Sequence, residues 1–218
     1  MLIEINKGPG QKVIDIGGGD NPHPQADINV DCRQTPQVHF TQDFEQFPWA
    51  IQDAEFDCAI SRYVLEHVSY RNVPNFLNEC KRILKPGGKL ILTLPNAEAQ
   101  VRWINEHSEG WDGKPQFESA SAVIFGDQDY KENAHRSWFT PALVMKLLTD
   151  AGFEAIQVRP WGERETDMAV TAMKPSVVAY SADRLREIEA KTDCPKCGLS
   201  INPRHYECEC DAKPKEVE

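Results

Sequence analysis

Val13-Ile14-Asp15-Ile16-Gly17-Gly18-Gly19-Asp20 is the stretch that decides the fold. An apolar run holding one carboxylate and closing in three glycines has the pattern of a buried parallel strand ending in a tight turn. Glycine takes positive φ without steric cost and lets a ligand come close to the backbone. A second apolar stretch, Ala26-Asp27-Ile28-Asn29-Val30-Asp31, ends in an acid fourteen residues after Gly17. An acid at the end of the strand after a glycine turn is placed to accept hydrogen bonds from ribose hydroxyls. Together these residues predict a site for a nucleoside-bearing cofactor.

A dinucleotide site expects Gly-x-Gly-x-x-Gly opening a helix, with an acid about 20 residues further on. Gly17 and Gly19 satisfy the first two positions, but Pro22 stands at the third. Nine residues, with Pro22 and Pro24 among them, separate Ile16 from Ala26. That is too short and too proline-rich for an ordinary crossover helix. A pyrophosphate is bound by a helix N-terminus, and here that helix is largely missing. S-Adenosylmethionine has no phosphate and does not need one. Its cationic sulfonium suits an acidic loop with Asp15 and Asp20.

The chain continues in the same rhythm. Asp43 precedes Phe44-Glu45-Gln46-Phe47-Pro48 and is a third acid, placed for an adenine amino group. Phe56-Asp57-Cys58-Ala59-Ile60-Ser61 reads as a strand, followed by Arg62-Tyr63-Val64-Leu65-Glu66-His67-Val68. A helix from Val73 to Leu84, a turn at Lys85-Pro86-Gly87-Gly88 and a strand from Lys89 to Pro95 come next. With these segments in view, the chain resembles class I S-adenosylmethionine-dependent methyltransferases, specifically the small methyltransferase-domain proteins. The short loop Asn21-Pro22-His23-Pro24 resembles a bacterial subgroup associated with surface-glycan loci. The resemblance spans residues 11–173. It implies a Rossmann-like, doubly wound, mostly parallel seven-stranded α/β sheet. It also implies that Asp15, Gly17, Gly18 and Gly19 lie beside the methionine part of the cofactor, Asp31 at the ribose and Asp43 near adenine, with Ser61 and Tyr63 at the pocket.

With 218 residues the chain can bury one substantial α/β core and a small appendage. Its formal net charge of −10 disfavours non-specific contact with nucleic acid or an anionic membrane. Neither a membrane-spanning run nor the apolar core of a signal peptide is expected from the residues given. Seven cysteines in such a chain point to reduced thiols or a metal rather than to disulfides. The expectation is a cytoplasmic enzyme.

Residues 96–139 break the strand–helix alternation. They carry Trp103, Trp111, Phe117, Phe125, Tyr130 and Trp138 among polar neighbours. These rings would either stack on an acceptor or pack the insert onto the sheet as a satellite core. Thr140 and Pro141 then read as N-cap and first residue of a helix that Gly152 ends. Phe153 to Pro160 and Asp167 to Met173 are expected as the last two strands, antiparallel at the sheet edge as the resemblance implies.

Transfer to an oxygen acceptor needs a base. Glu66-His67 reads as a brace for the segment near the cofactor. His135, in the loop before the Thr140 helix, is the candidate base; a solvated loop histidine is the alternative. Cys32, Cys58 and Cys80 read as ordinary core cysteines.

The domain is expected to cover residues 1–174, followed by a helical linker at 175–192 and a zinc-binding tail at 193–218. In that tail, Cys194-Pro195-Lys196-Cys197-Gly198 has the spacing of a zinc knuckle, and Cys208-Glu209-Cys210 offers a second pair. A short tail of this kind lacks the core to fold without a staple. The expected acceptor is a small molecule or a glycan precursor, with a protein partner for the tail. A nucleic-acid or protein methyltransferase recruited through the ribbon, or a non-catalytic scaffold built on the cofactor fold, are the rival readings.

Overall fold

In a computed structural model the described residues are 3–176. They form seven strands: β1 (Val13–Ile16), β2 (Ile28–Asp31), β3 (Phe40–Thr41), β4 (Phe56–Arg62), β5 (Leu84–Pro95), β6 (Glu154–Trp161) and β7 (Asp167–Met173). Four helices accompany them: α1 (Val73–Ile83), α2 (Ala97–Glu106), α3 (Gln116–Phe125) and α4 (Pro141–Asp150). The strands make one sheet in the order β3-β2-β1-β4-β5-β7-β6. Pairs from β3 through β5 are parallel, while β7 runs antiparallel to both neighbours, so β6 points the same way as the rest. The expected mostly parallel, Rossmann-like α/β sheet is what the chain forms.

The chain builds β1, β2 and β3 outward, then crosses back to lay β4 beside β1. The crevice between β1 and β4 is therefore the topological switch point, the usual ligand position in such sheets. No helix links β1 to β2, as the two prolines and the short spacing require.

Period-two alternation divides the core between the two faces of the sheet. Ile14, Ile16, Ala59, Leu90, Leu92, Met168 and Val170 belong to the larger cluster, with Phe76, Leu77 and Ile83 of α1 and Val144 and Leu148 of α4. Val13, Cys58, Ile60, Ile91 and Ala169 point the other way and meet Ile3, Ile5 and Trp161. That second face is covered by the N-terminal segment rather than by a long helix. Phe76, Leu77 and Ile83 are fully buried, and each such side chain contributes roughly 1.5–3 kcal/mol.

Local signals explain the ends of the elements. Thr140 Oγ1 accepts from the Leu143 N–H at 3.2 Å, and Pro141 opens α4. Asn96 caps α2 through the Glu98 N–H at 3.1 Å. The expected turn at Lys85–Gly88 is absorbed into β5. Phe56 pairs with Leu84 and Cys58 with Lys89, so the extra residues bulge out of the ladder, with Gly87 at φ +75°.

Of the three core cysteines expected, Cys58 and Cys80 are buried, but Cys32 is exposed. It follows the last residue of β2, where the chain leaves the sheet for the surface. The linker and the four cysteines of the tail lie outside the described residues.

Candidate functional site

A cavity of about 350 Å³ opens at the switch point, among the residues that follow the C-terminal ends of β1 to β4. Its wall includes Gly17 after β1, Asp31 at the end of β2, Asp43 and Phe44 after β3, and Tyr63 and Val64 after β4. His67, Tyr130 and Arg136 are also on it.

The glycine turn is a packing solution as well as a ligand surface. Gly17 has φ +79°, and a Cβ there would stand 2.2 Å from Val64 Cγ2. Its N–H donates to Val30 O at 2.7 Å. At Gly18 an added Cβ would lie 2.4 Å from Asn29 Oδ1 and 2.9 Å from Asp15 Oδ2. The Asn29 amide donates to Gly19 O at 2.9 Å and Gln37 O at 2.8 Å, stapling the turn to the loop after β2.

Asp31 is 4% exposed. Its Oδ2 accepts from the Gly19 N–H at 3.0 Å and its Oδ1 from the Arg33 N–H at 2.9 Å. A carboxylate has about four lone-pair positions, so acceptor capacity remains on the cavity side. Arg33 lays its guanidinium 4.3 Å from the centre of the Tyr130 ring, joining the end of β2 to the insert. Asp43 Oδ1 accepts from the Glu45 N–H at 2.9 Å. Burial alone would raise the Glu45 carboxyl. The Ser69 N–H, Arg136 and Asn72 outweigh it and hold the group below its ordinary value.

Tyr63 sits at φ 55°, an uncommon conformation for a bulky residue. Its hydroxyl donates to Asp167 Oδ2 at 2.9 Å. Burial first, then the Asp167 charge, pushes the phenol up, and burial likewise raises the Asp167 carboxyl against the pull of the Tyr63 hydrogen bond.

A 3₁₀ turn at Leu65–His67 follows, and the end of the insert is strapped across it. The Arg136 and Ser137 N–H groups donate to Glu66 O at 2.7 and 3.0 Å, and Ser137 Oγ donates to Val68 O at 2.6 Å. The Glu66 side chain is buried, Oε2 has no partner, and burial pushes its carboxyl up to about 8. His67 and His135 face each other with ring centres 5.0 Å apart. Burial lowers both imidazoles, against the opposing pull of the carbonyls they bond, Ala134 O and Val123 O.

Four of the eight residues expected at the cofactor, Gly17, Asp31, Asp43 and Tyr63, are on the cavity wall. Gly18 and Gly19 form the turn behind it. Asp15 is fully buried and pairs with Arg62 at 2.9 Å, so the acidic loop expected to face a sulfonium is already neutralised at that residue. Ser61 is buried beneath the site with its hydroxyl unpartnered. His135 stands behind His67 and is not itself on the wall. Trp103 stacks on His107 at 4.7 Å and meets Trp111 at 4.6 Å, which makes them a cluster inside the insert. Trp138 Nε1 reaches only Gln100 Oε1, at 3.4 Å, and of the insert's rings Tyr130 alone is on the wall. Arg33, Glu45, Val64 and Arg136 went unforeseen. Arg33 and Glu45 each lie two residues beyond an expected acid, and that proximity was the available signal.

A parallel sheet with one reversed strand near its edge, acids at the strand ends and a cavity at the switch point define a nucleoside-binding α/β fold. The family model described as a methyltransferase domain matches residues 4–158, and the chain belongs to that family. A demethylmenaquinone methyltransferase of Paenarthrobacter aurescens (strain TC1) is 24% identical over 217 residues, covering 90% of this chain and 79% of the relative. A methyltransferase structure from Thermotoga maritima, described as S-adenosylmethionine-dependent and as a possible histamine N-methyltransferase, superposes with a TM-score of 0.52. It is 20% identical, over 76% of this chain and 83% of that one. Phosphoethanolamine N-methyltransferase 2 of Haemonchus contortus, in complex with S-adenosyl-L-methionine, gives a TM-score of 0.50 at 14% identity, over 77% of this chain and 49% of that one.

Proposed function

We propose that this chain is an S-adenosylmethionine-dependent methyltransferase whose acceptor is a small molecule or a glycan precursor. The observation that carries the reading is the cavity at the β1–β4 switch point, with Gly17 in a left-handed turn and Asp31 and Asp43 at the next two strand ends. The residues present fit this cofactor. The site has a backbone floor at Gly17, a nearly buried carboxylate with spare acceptor capacity, and an apolar wall of Phe44, Val64 and Val68. No helix N-terminus follows β1 to hold a pyrophosphate. The named relatives bear on the same point, since one is a methyltransferase in complex with this cofactor.

In this reading Asp31 accepts from ribose hydroxyls, Asp43 and Phe44 receive the adenine, and Gly17 lets the methionine part lie against the backbone. S-Adenosylmethionine would supply an electrophilic methyl on sulfur. The side of the cavity bearing Tyr63, His67 and Arg136 is left for the acceptor. There the protein's work is orientation, because reacting atoms must be held aligned at about 3–3.5 Å. The net charge of −10 disfavours a polyanionic acceptor such as nucleic acid.

Calorimetric titration of the full chain with S-adenosylmethionine and S-adenosylhomocysteine tests the reading. Saturable binding of both is expected, weakened by roughly 1–3 kcal/mol in Asp31→Ala, the cost of unpaired buried hydroxyls. Binding of neither ligand would end it.

A further inference from the structure

Glu66, His67 and His135 form a group whose ligand-capable atoms all lie within 4.8 Å of one another. We propose that these three side chains are a site for a divalent transition-metal ion, open toward the cavity, where an oxygen of the methyl acceptor is coordinated.

The tautomers point to it. His67 Nδ1 lies 3.2 Å from Ala134 O, and His135 Nδ1 lies 3.0 Å from Val123 O. A carbonyl can only accept, so both Nδ1 atoms carry the proton and both Nε2 atoms keep a free lone pair. Imidazoles that ligate metals are held in this way, with the second ring nitrogen donating to a backbone carbonyl or carboxylate. Glu66 supplies the third ligand. It is 2% exposed, and its Oε2 has no hydrogen-bond partner. A buried carboxylate charge needs a paired cation or a metal, and Arg136, whose N–H donates to Glu66 O, has its guanidinium on Glu45 instead.

Two imidazoles and one carboxylate make a three-ligand set that suits zinc, iron(II) or cobalt(II) and leaves coordination positions open. Ligand atoms around 2.0–2.2 Å from one ion stand roughly 3–3.5 Å apart, so the group closes by about 1 Å on loading. His67 and His135 are only half-buried, so small ring shifts about their carbonyl bonds can supply this, while the strap from Arg136 and Ser137 to Glu66 O holds the backbone. His67 is on the cavity wall while Glu66 and His135 are not, so the group meets the cavity through His67. A metal there lowers the pKa of a coordinated hydroxyl, which removes the need for a single histidine base. The acceptor half of this inference rests on the methyltransferase reading, whereas the metal half does not.

Cobalt(II) titration of the chelator-treated full chain is the test. Cys194, Cys197, Cys208 and Cys210 are replaced by serine so that thiolates do not compete. One equivalent of cobalt with visible ligand-field bands and no thiolate charge-transfer band is expected. His67→Ala and His135→Ala, checked for fold by circular dichroism, should each weaken it by more than the ~10–100-fold that loss of an outer-shell partner costs. Pulsed electron paramagnetic resonance of the copper(II) form needs no further substitution and should show two imidazole nitrogens. Absence of cobalt uptake, uptake indifferent to both histidine variants, or a copper spectrum without imidazole nitrogen would each overturn the site. S-Adenosylhomocysteine affinity on the same samples reports the cofactor reading separately.

Discussion

Arg62 Nη2 lies 2.9 Å from Asp15 Oδ2, joining the ends of neighbouring strands β4 and β1 across a carboxylate with no solvent exposure. The same oxygen accepts from the His23 N–H at 2.6 Å, and Arg62 reaches on to Asn21 O at 2.5 Å. This ion pair thus ties down the loop after β1, together with the Asn29 amide on Gly19 O. Removing one member leaves the other charge uncompensated, which typically costs 3–5 kcal/mol. Arg62→Met is therefore expected to lower stability by about 3–5 kcal/mol in urea unfolding. Asp15→Asn combined with Arg62→Met should recover much of that loss. Equal stability of the single and double variants would show that the pair does not hold the loop.

Gly17 is constrained twice, by its φ of +79° and by Val64. Gly17→Ala is expected to destabilise the protein by about 2–4 kcal/mol, combining overpacking with left-handed strain. Val64→Ala in the same chain removes the 2.2 Å contact and leaves the strain. Partial recovery in the double variant, read from thermal midpoints, is the expected outcome. Full recovery would mean that the backbone angle costs nothing.

Much of this architecture was legible because it follows from spacing. Nine residues with two prolines between Ile16 and Ala26 leave no room for a helix, and none forms. Thr140-Pro141 marks the start of α4 by cap chemistry alone. Local pattern failed wherever a residue's partner is distant in the chain. Asp15 looks like a cofactor acid until Arg62, forty-seven residues on, is brought against it. Lys85–Gly88 has turn composition, but pairing with β4 and the bulge it forces keep the segment in the strand. The insert's tryptophans left both a stacking surface and a satellite core open, and two of them pack on each other.

Part of the acid sensitivity should come from two carboxylates that are not on the cavity wall. Asp57 Oδ2 accepts from the Lys12 N–H at 2.8 Å and from Lys85 at 2.7 Å. Glu79 accepts from the Trp49 N–H at 2.7 Å and takes both Nε and Nη2 of Arg82. Burial would raise both groups, but these donors outweigh it and hold them below their ordinary values of 3.8 and 4.5. A depressed folded-state pKa contributes stability that is present above the unfolded value and is lost as pH falls through the folded one. The contribution of these two groups to the urea midpoint, read as the difference between the unsubstituted protein and the variant that lacks both carboxylates, should thus hold above about pH 5 and then decline as acid is added. Asp57→Asn with Glu79→Gln should lower the plateau and flatten the decline. A parallel decline in the double variant would place the acid sensitivity elsewhere.

Cys32 combines an exposed position on the cavity wall with a thiol whose ionisation its surroundings oppose. Its Sγ lies 3.6 Å from Asp31 Oδ1. Burial of the sulfur, followed by the Asp31 charge and hydrogen bond, pushes the thiol up to about 11. The thiolate is the nucleophile, and an unhindered cysteine has a pKa of about 8.5. At pH 7.5 iodoacetamide should therefore modify Cys32 roughly a hundredfold more slowly than a free thiol. Peptide mass spectrometry resolves this site from the tail cysteines. Asp31→Asn removes the charge that opposes ionisation and should speed the modification. S-Adenosylhomocysteine should slow it further in the unsubstituted chain, because the cavity wall holding Cys32 is then covered. Fast alkylation of the unsubstituted protein would show that Asp31 does not control the thiol, and protection absent at saturating ligand would place the ligand away from β2.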